Sequence, residues 1–223
     1  MNTTKNKLLK FCFYFAFWSV EIFEGKKYEW YLENKNKIKK QAINILNSRY
    51  LIDNIFLKAI NFNNALIFIL ENNALSKEKL CYLNKIITNK LFKTTRKKQE
   101  IGKYRISEVS FGSFKGINAK LIDKKISKIF CEYNKNEFHS KLEIYDMYSK
   151  LLLTHPFIDG NGRVMRSIFI SEWLKNGYEP FVLTHSDKMK LTEYTNYYLK
   201  NHNPQNAIKF LEHLENKYSN FYF

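Results

Sequence analysis

Apolar side chains recur every three or four residues along most of the chain, which is the spacing that places them on one face of an α-helix. This spacing predicts helices at 38–60, 64–70, 76–92, 118–133 and 137–153. The third of these helices is expected to begin at Ser76, whose hydroxyl can accept a hydrogen bond from a first-turn amide. The fifth helix has its predicted apolar face at Leu142, Tyr145, Tyr148 and Leu152.

The period changes between residues 102 and 116, where apolar residues lie between glycines. The apolar positions are Tyr104, Ile106, Val109 and Phe111. Glycines on both sides allow the backbone to turn tightly. This stretch therefore predicts a short strand or a hairpin between two helical regions.

The N-terminal residues 8–23 are apolar on nearly all sides. The apolar run contains Lys10 and is shorter than the roughly 20 residues that a membrane-spanning helix needs. We therefore expect no membrane association. A buried helix is one interpretation. A secretory signal is the other, since Lys5 and Lys7 precede the run, although no small-residue cleavage site follows it.

Composition agrees with a helical domain. The 223 residues include only 7 glycines and 3 prolines, too few turn-formers for a many-stranded sandwich or barrel. Hydrophobic residues make up 45% of the chain, so a sizeable core can form. Three cysteines, Cys12, Cys81 and Cys131, lack metal-site spacing, and we expect buried thiols in a reducing, cytoplasmic compartment.

The net charge of +16 favours anionic partners such as nucleotides, nucleic acid or acidic membrane. Lysine and asparagine are abundant along the whole chain, as a biased genome would produce, so charge alone decides little. Nucleic acid is therefore not the expected partner. A basic nucleic-acid-binding module stays an alternative.

Residues 155–166 read HPFIDGNGRVMR, and this segment combines more candidate binding and catalytic groups than any other part of the sequence. A helix is expected to end at His155, because Pro156 cannot continue it. Gly160 and Gly162 allow a tight turn that exposes consecutive amides, and a second helix is predicted from about residue 163 to 174. A glycine-rich turn that leads into a helix N-terminus is an anion-binding site.

Side chains of the same segment add charge and a proton acceptor. Arg163 and Arg166 are three residues apart on one helix face and can bind phosphate oxygens in a bidentate manner. Asp159 offers the hard oxygen ligand that Mg²⁺ takes beside nucleotide phosphates. His155, with an ordinary pKa near 6.5, is largely neutral at pH 7 and can accept a proton from a hydroxyl.

The segment resembles the signature of the Fic family, HPFx(D/E)GNGRxxR, with every fixed position filled. Upstream, the run Gly102, Lys103, Tyr104 and Arg105, followed by Val109 and Gly112, resembles the flap hairpin of the family. Downstream, the residues at 177–180 and Tyr194 follow the motif as they do in that family. The resemblance covers about residues 60–215.

This resemblance implies an all-α Fic fold with one small β-hairpin flap beside the active site. It also implies a protein adenylyltransferase that moves AMP from Mg²⁺-ATP to a Ser, Thr or Tyr hydroxyl of a protein target, with self-modification expected. His155 would be the general base, Asp159 the Mg²⁺ ligand, and Phe157 the anchor of the loop in the core. The implied phosphate-binding residues are Gly160, Asn161, Gly162, Arg163 and Arg166.

Weaker assignments also follow from the resemblance. The flap residues Ile106, Val109 and Phe111 would pair with the backbone of the target. Tyr194 and Asn201 would contact the adenine. The implied division is N-terminal helices at 1–60 and a Fic catalytic domain at 61–223.

Many family members carry an inhibitory helix with the pattern (S/T)xxxE(G/N). Residues 20–25 provide the Glu-Gly at Glu24 and Gly25, but Val20 stands where serine or threonine is expected. We interpret Glu24 as an inhibitory residue that would pair with Arg166. Glu215, followed by Asn216, is a C-terminal candidate that also lacks the hydroxyl residue.

Several alternatives stay open at this stage. The same site would suit removal of AMP from modified proteins, or transfer from another nucleotide. A degenerate Fic fold that binds nucleic acid is a second class, and a secreted effector is a third. The oligomeric state, including a homo-oligomer, is open as well.

Overall fold

The computed structural model describes residues 54–71, 74–91, 100–111, 114–179, 181 and 183–219. Seven α-helices, one 3-10 turn and one two-stranded hairpin occur in these ranges. The helices are α1 (Asn54–Glu71), α2 (Lys77–Thr88), α3 (Ile122–Tyr133), α4 (Lys141–Thr154), α5 (Asn161–Lys175), α6 (His185–Asn201) and α7 (Gln205–Ser219). The predicted mostly helical fold class is confirmed.

Local capping groups explain where several helices begin. The Ser76 hydroxyl accepts a hydrogen bond from the Lys79 amide at 3.2 Å, which confirms the predicted start of α2. At the start of α4, Ser140 and Glu143 bond each other's backbone amides and form a capping box. Thr184 does the same with Asp187 at the start of α6.

Helix α5 lies at the centre of the fold. Ile168, Phe169 and Trp173 are almost fully buried, and the helix packs against α1, α2 and α4. Most of its length is buried, so its position is set by contacts on several sides. The N-terminal turn of α5, which carries the motif residues, is therefore held on a rigid support.

Some predicted boundaries and faces are wrong. Helix α1 is continuous through residues 61–63, α2 ends at Thr88, and α4 begins at Lys141. Leu142 is 45% exposed, because it lies in the first turn of α4. The buried face of α4 is formed by Ile144, Tyr145, Met147, Tyr148 and Leu151.

The hairpin is present but shorter and later than predicted. Strand β1 (Ser110–Phe111) pairs antiparallel with β2 (Phe114–Lys115), with Ser110 opposite Lys115. Residues 104–109 form no strand, since the Arg105 amide donates to the Pro156 carbonyl at 2.8 Å. The 3-10 turn Ala119–Leu121 then leads into α3.

Other predictions have mixed outcomes. Cys81 and Cys131 are free thiols, but Cys81 is only half-buried and Cys131 is exposed, so neither is buried as expected; Cys12 lies outside the described residues. In the described ranges, every helix falls short of the length or the apolar character that a bilayer crossing requires. The division at residue 60 stays a prediction, since residues 1–53 lie outside the described ranges.

Candidate active site

The predicted end of α4 at His155 is confirmed. His155 caps the helix in the left-handed conformation, with φ 46° and ψ 60°, and its amide donates to the Leu151 carbonyl at 3.3 Å. Pro156 and Phe157 follow and are both buried, Phe157 to 1% exposure. The chain therefore leaves α4 abruptly, and Phe157 packs into the core directly after the histidine.

Asn161 closes the loop that follows. Its Oδ1 accepts a hydrogen bond from the Phe157 amide at 2.9 Å, and its Nδ2 donates to the Phe157 carbonyl at 2.7 Å. The side chain is 2% exposed. From the sequence, only the backbone amide of Asn161 had a predicted role, so this function of the side chain is new.

Gly160 is the residue at which the loop becomes α5. It has φ 81°, and a Cβ there would lie 3.0 Å from Thr88 Cγ2 and 3.2 Å from Asn84 Nδ2. Glycine is therefore required both by the left-handed backbone and by the close approach of α2. The amides of residues 161 and 162 lie in the first turn, where a helix supplies no acceptor of its own.

Asp159 lies on the open side of this loop. Its Oδ1 accepts from the Gly160 amide at 2.5 Å, and Arg163 Nη2 lies 3.5 Å from the same oxygen. The side chain is 50% exposed. A hard, accessible carboxylate of this kind fits Mg²⁺ that is shared with nucleotide phosphates. Among the described residues, no cluster of three His, Cys, Asp or Glu side chains could hold a metal ion by itself.

Arg163 lies in the first turn of α5 and Arg166 in the second. Arg163 Nη1 donates to the Ile87 carbonyl at 3.3 Å. Burial lowers the pKa of Arg163, and the Asp159 carboxylate opposes that effect. Arg166 lies close to the first turn, since a Cβ on Gly162 would be 3.2 Å from its Nη1. The two guanidinium groups and the positive end of α5 together carry more positive charge than the single Asp159 carboxylate balances, and this excess suits a polyphosphate.

The environment keeps His155 neutral. Burial lowers its pKa to about 4, and the positive charge of Arg105 acts in the same direction. A hydrogen bond to the Leu152 backbone opposes both effects. At pH 7 the imidazole therefore has an unprotonated nitrogen, as a general base requires.

Two residues outside the motif, Asn84 and Arg105, hold the loop after α4 in place. This role was not predicted from the sequence for either residue. Asn84, 2% exposed on α2, donates to the Asp159 carbonyl at 2.9 Å and accepts from the Gly102 amide at 3.0 Å. Arg105 donates from Nε to the His155 carbonyl at 2.8 Å. The available signal for Asn84 was a polar residue on the apolar face of a helix, between Leu80 and Ile87.

The predicted target-docking residues lie on the segment before and within the hairpin. Ile106 is 90% exposed, Val109 is half-buried, and Phe111 is in β1. The exposure of Ile106 is compatible with contact by a target chain at this position. The docking role stays a prediction.

The predicted adenine contacts lie on α6. The ring of Tyr194 packs edge-on against Phe210 of α7, with centroids 5.6 Å apart. Asn201 is exposed and donates to the Tyr197 carbonyl of its own helix at 3.0 Å. Lys200, the preceding residue, lies 5.6 Å from the Phe114 ring, so the end of α6 lies next to the hairpin. The adenine role stays a prediction.

The two candidate inhibitory glutamates have different outcomes. Glu24 and the rest of residues 20–25 lie outside the described residues. Glu215 is buried and accepts hydrogen bonds from Trp173 Nε1 at 2.9 Å and Lys141 Nζ at 2.5 Å. Since Trp173 lies two helical turns beyond Arg166 on α5, Glu215 stabilises the far end of that helix instead.

Comparison with known proteins supports the resemblance. Residues 74–171 match the sequence model described as the Fic/DOC family. No curated protein sequence matches the chain. Forty-eight chains of solved structures match, among them Fic proteins of animal and bacterial origin.

Three of these structures illustrate the shared fold. A Fic-1 fragment from C. elegans has a TM-score of 0.66 at 14% identity, covering 97% of this chain and 63% of that one. A Fic domain containing signaling protein from Bacteroides thetaiotaomicron has a TM-score of 0.58 at 17% identity, covering 72% and 68%. BepC from Bartonella tribocorum, an effector protein with bound AMPPNP, has a TM-score of 0.51 at 14% identity, covering 80% and 86%.

The chain spans less than two thirds of the C. elegans Fic-1 fragments, 53% of one and 63% of the other. At these identities the solved structures establish a common fold.

Proposed function

We propose that this chain, which contains a Fic/DOC-family domain at residues 74–171, transfers AMP from Mg²⁺-ATP to a Ser, Thr or Tyr hydroxyl of a protein target. The observation that carries the proposal is the position of a neutral imidazole six residues before Asn161, the first residue of α5, whose N-terminus is positive. The AMPPNP bound to BepC supports a nucleotide as the donor.

In the proposed reaction, His155 accepts the proton of the target hydroxyl. The hydroxyl oxygen then forms a bond to the α-phosphorus of ATP, and the bond between that phosphorus and the oxygen bridging to the β-phosphate breaks. Pyrophosphate leaves with the bridging oxygen. The protein contributes mainly through position and electrostatics, because charge develops on the phosphate oxygens in the transition state.

The remaining motif residues would bind the triphosphate. Amides of the Gly160–Gly162 turn would donate to phosphate oxygens, and Arg163 and Arg166 would bind the β- and γ-phosphates. Asp159 would hold Mg²⁺, which would neutralise charge on the α- and β-phosphates. Tyr194 and Asn201 are the proposed contacts for adenine.

The function is tested by mass spectrometry of the purified chain after incubation with Mg²⁺ and ATP. We expect a mass increase of one adenylyl group on the chain itself. The control is incubation without ATP. Absence of the adduct on the chain and on added cell proteins would contradict the proposal, whereas steep salt-sensitive DNA binding without ATP turnover would favour the nucleic-acid alternative.

Transfer should persist at acidic pH. Because the pKa of His155 is lowered to about 4, its imidazole stays neutral well below the ordinary value of 6.5, and it protonates only as the pH approaches 4. The rate of transfer, measured from pH 4 to 8 at saturating Mg²⁺-ATP, is expected to stay nearly level down to about pH 5. A loss of transfer on the acid side with a midpoint at or above pH 6.5 would contradict the lowered pKa of His155 as the general base.

Glu24 is the proposed inhibitory residue, with Arg166 as its partner. Glu24→Gly would remove that carboxylate from the phosphate site, so self-modification with labelled ATP should rise relative to the unmodified chain. Glu21→Gly, three residues earlier, is the matched control and should leave labelling unchanged. Equal labelling of all three proteins would argue against an intramolecular brake at Glu24.

A further inference from the structure

Arg105 is a buried cation beside the active site. Its residue is 3% exposed, and its guanidinium donates hydrogen bonds only to backbone carbonyls among the described residues. These carbonyls belong to His155 at 2.8 Å, Ser107 at 2.7 Å, Ile117 at 2.6 Å and Thr154 at 3.5 Å. A buried charge is unfavourable unless it is hydrogen-bonded, and these four carbonyls supply the acceptors that the Arg105 guanidinium requires.

The four carbonyls come from two parts of the structure. Thr154 and His155 are at the C-terminal end of α4, where a positive charge also interacts favourably with the helix dipole. Ser107 and Ile117 lie on the two sides of the segment that contains the hairpin. We call residues 102–117 the flap. A planar guanidinium with five donors can bond all four acceptors at once, and no other side chain can do so.

The flap backbone closes directly over this guanidinium. The Gly116 amide donates to the Val109 carbonyl at 2.9 Å, which brings the two sides of the flap together. A Cβ on Gly116 would lie 2.7 Å from Arg105 Nη2 and 2.9 Å from Val109 Cγ2. The position of Arg105 therefore determines how closely the flap can approach α4.

Arg105 also lies between the catalytic base and the exposed docking segment. Its own amide donates to the Pro156 carbonyl at 2.8 Å, one residue after the histidine. The next residue, Ile106, is 90% exposed. One residue thus connects the backbone of His155 with the surface on which a target chain would pair.

We propose that Arg105 is a positioning residue that holds the flap in register with His155, so that a target bound along the flap presents its hydroxyl to the imidazole. This inference rests on the proposed function, because it assumes that a hydroxyl of a target protein must be positioned next to His155. Arg105 has no described hydrogen bond to the phosphate-binding residues of α5. It should therefore affect the chemical step more than nucleotide binding.

Arg105→Lys and Arg105→Gln test the proposal. Lysine keeps the charge but cannot reach four carbonyls in one plane, and glutamine loses the charge as well. Both variants are expected to lower kcat on the order of tenfold and to leave the KM for ATP within about twofold. Lys120→Gln, an exposed residue just after the flap, removes the same charge and should have no effect.

Two measurements do not depend on transfer activity. Arg105 helps to lower the pKa of His155, so the NMR titration of that ring should shift to higher pH in Arg105→Gln and stay low in Arg105→Lys. Amide hydrogen exchange at Gly116 should be faster in both variants. If the unmodified chain shows no transfer, the proposed function fails, while these two readouts still decide the role of Arg105.

Gly116→Ala is the second variant if either Arg105 variant fails to fold. It keeps the arginine but displaces the guanidinium, so kcat should fall while the KM for ATP is retained. Unchanged kcat in all variants that fold would overturn the proposal. A raised KM for ATP with normal kcat, or unchanged exchange at Gly116, would also overturn it.

Discussion

Replacement of His155 by alanine should lower AMP transfer by about 10²–10⁴-fold, the usual contribution of a general base. The expectation follows from a neutral imidazole that is half-buried at the end of α4, next to the positive turn of α5. ATP affinity should stay within a few-fold, because the phosphate-binding groups lie on α5 and its preceding turn. Initial transfer rates and nucleotide Kd are to be measured on the same preparation.

The backbone of His155 requires a specific control. His155 has φ 46°, and His202 caps α6 in the same left-handed conformation with φ 54°. His202→Ala therefore imposes the same unfavourable backbone at an exposed position outside residues 155–166. His155→Asn is a second variant, since asparagine tolerates this conformation. Transfer retained in either His155 variant would show that the residue is not the base.

The chemistry of residues 155–166 could be predicted because its groups are contiguous and rest on local rules. A proline cannot continue a helix, so Pro156 marks the end of α4. Gly160 permits the left-handed backbone conformation that precedes α5. Such features depend on neighbours within one or two turns and need no knowledge of tertiary contacts.

The supporting residues could not be predicted because their partners are distant in sequence. Asn84 bonds the carbonyl of Asp159, 75 residues later, and Arg105 bonds the carbonyl of His155, 50 residues later. Both acceptors are backbone groups, which leave no trace in the amino-acid pattern. The hairpin was predicted too early for the same reason: the amide of Arg105 bonds a loop carbonyl instead of a second strand.

The relation between stability and activity differs at the two ends of α5. At its N-terminus, Asn161 bonds both backbone groups of Phe157, and at its C-terminus Asn176 accepts from the His139 amide and donates to the Glu172 carbonyl. Asn161 thus joins the helix to the preceding loop by both of its hydrogen bonds, whereas Asn176 joins it to residue 139 by the bond it accepts and donates within α5 itself. Only Asn161 holds the loop that carries Asp159 and Gly160.

Asn161→Ala should therefore lower both stability and transfer. It leaves the buried amide and carbonyl of Phe157 without partners, which costs about 1–3 kcal/mol in the free energy of unfolding. A loop displaced by roughly 1 Å would lower transfer about 10²-fold. Asn176→Ala is the matched control, with a similar chemical change and no expected effect on transfer. Urea unfolding and initial rates on both variants separate the two effects. If both lost transfer in proportion to their stability, or if Asn161→Ala kept full activity, Asn161 would have no role in holding the phosphate loop.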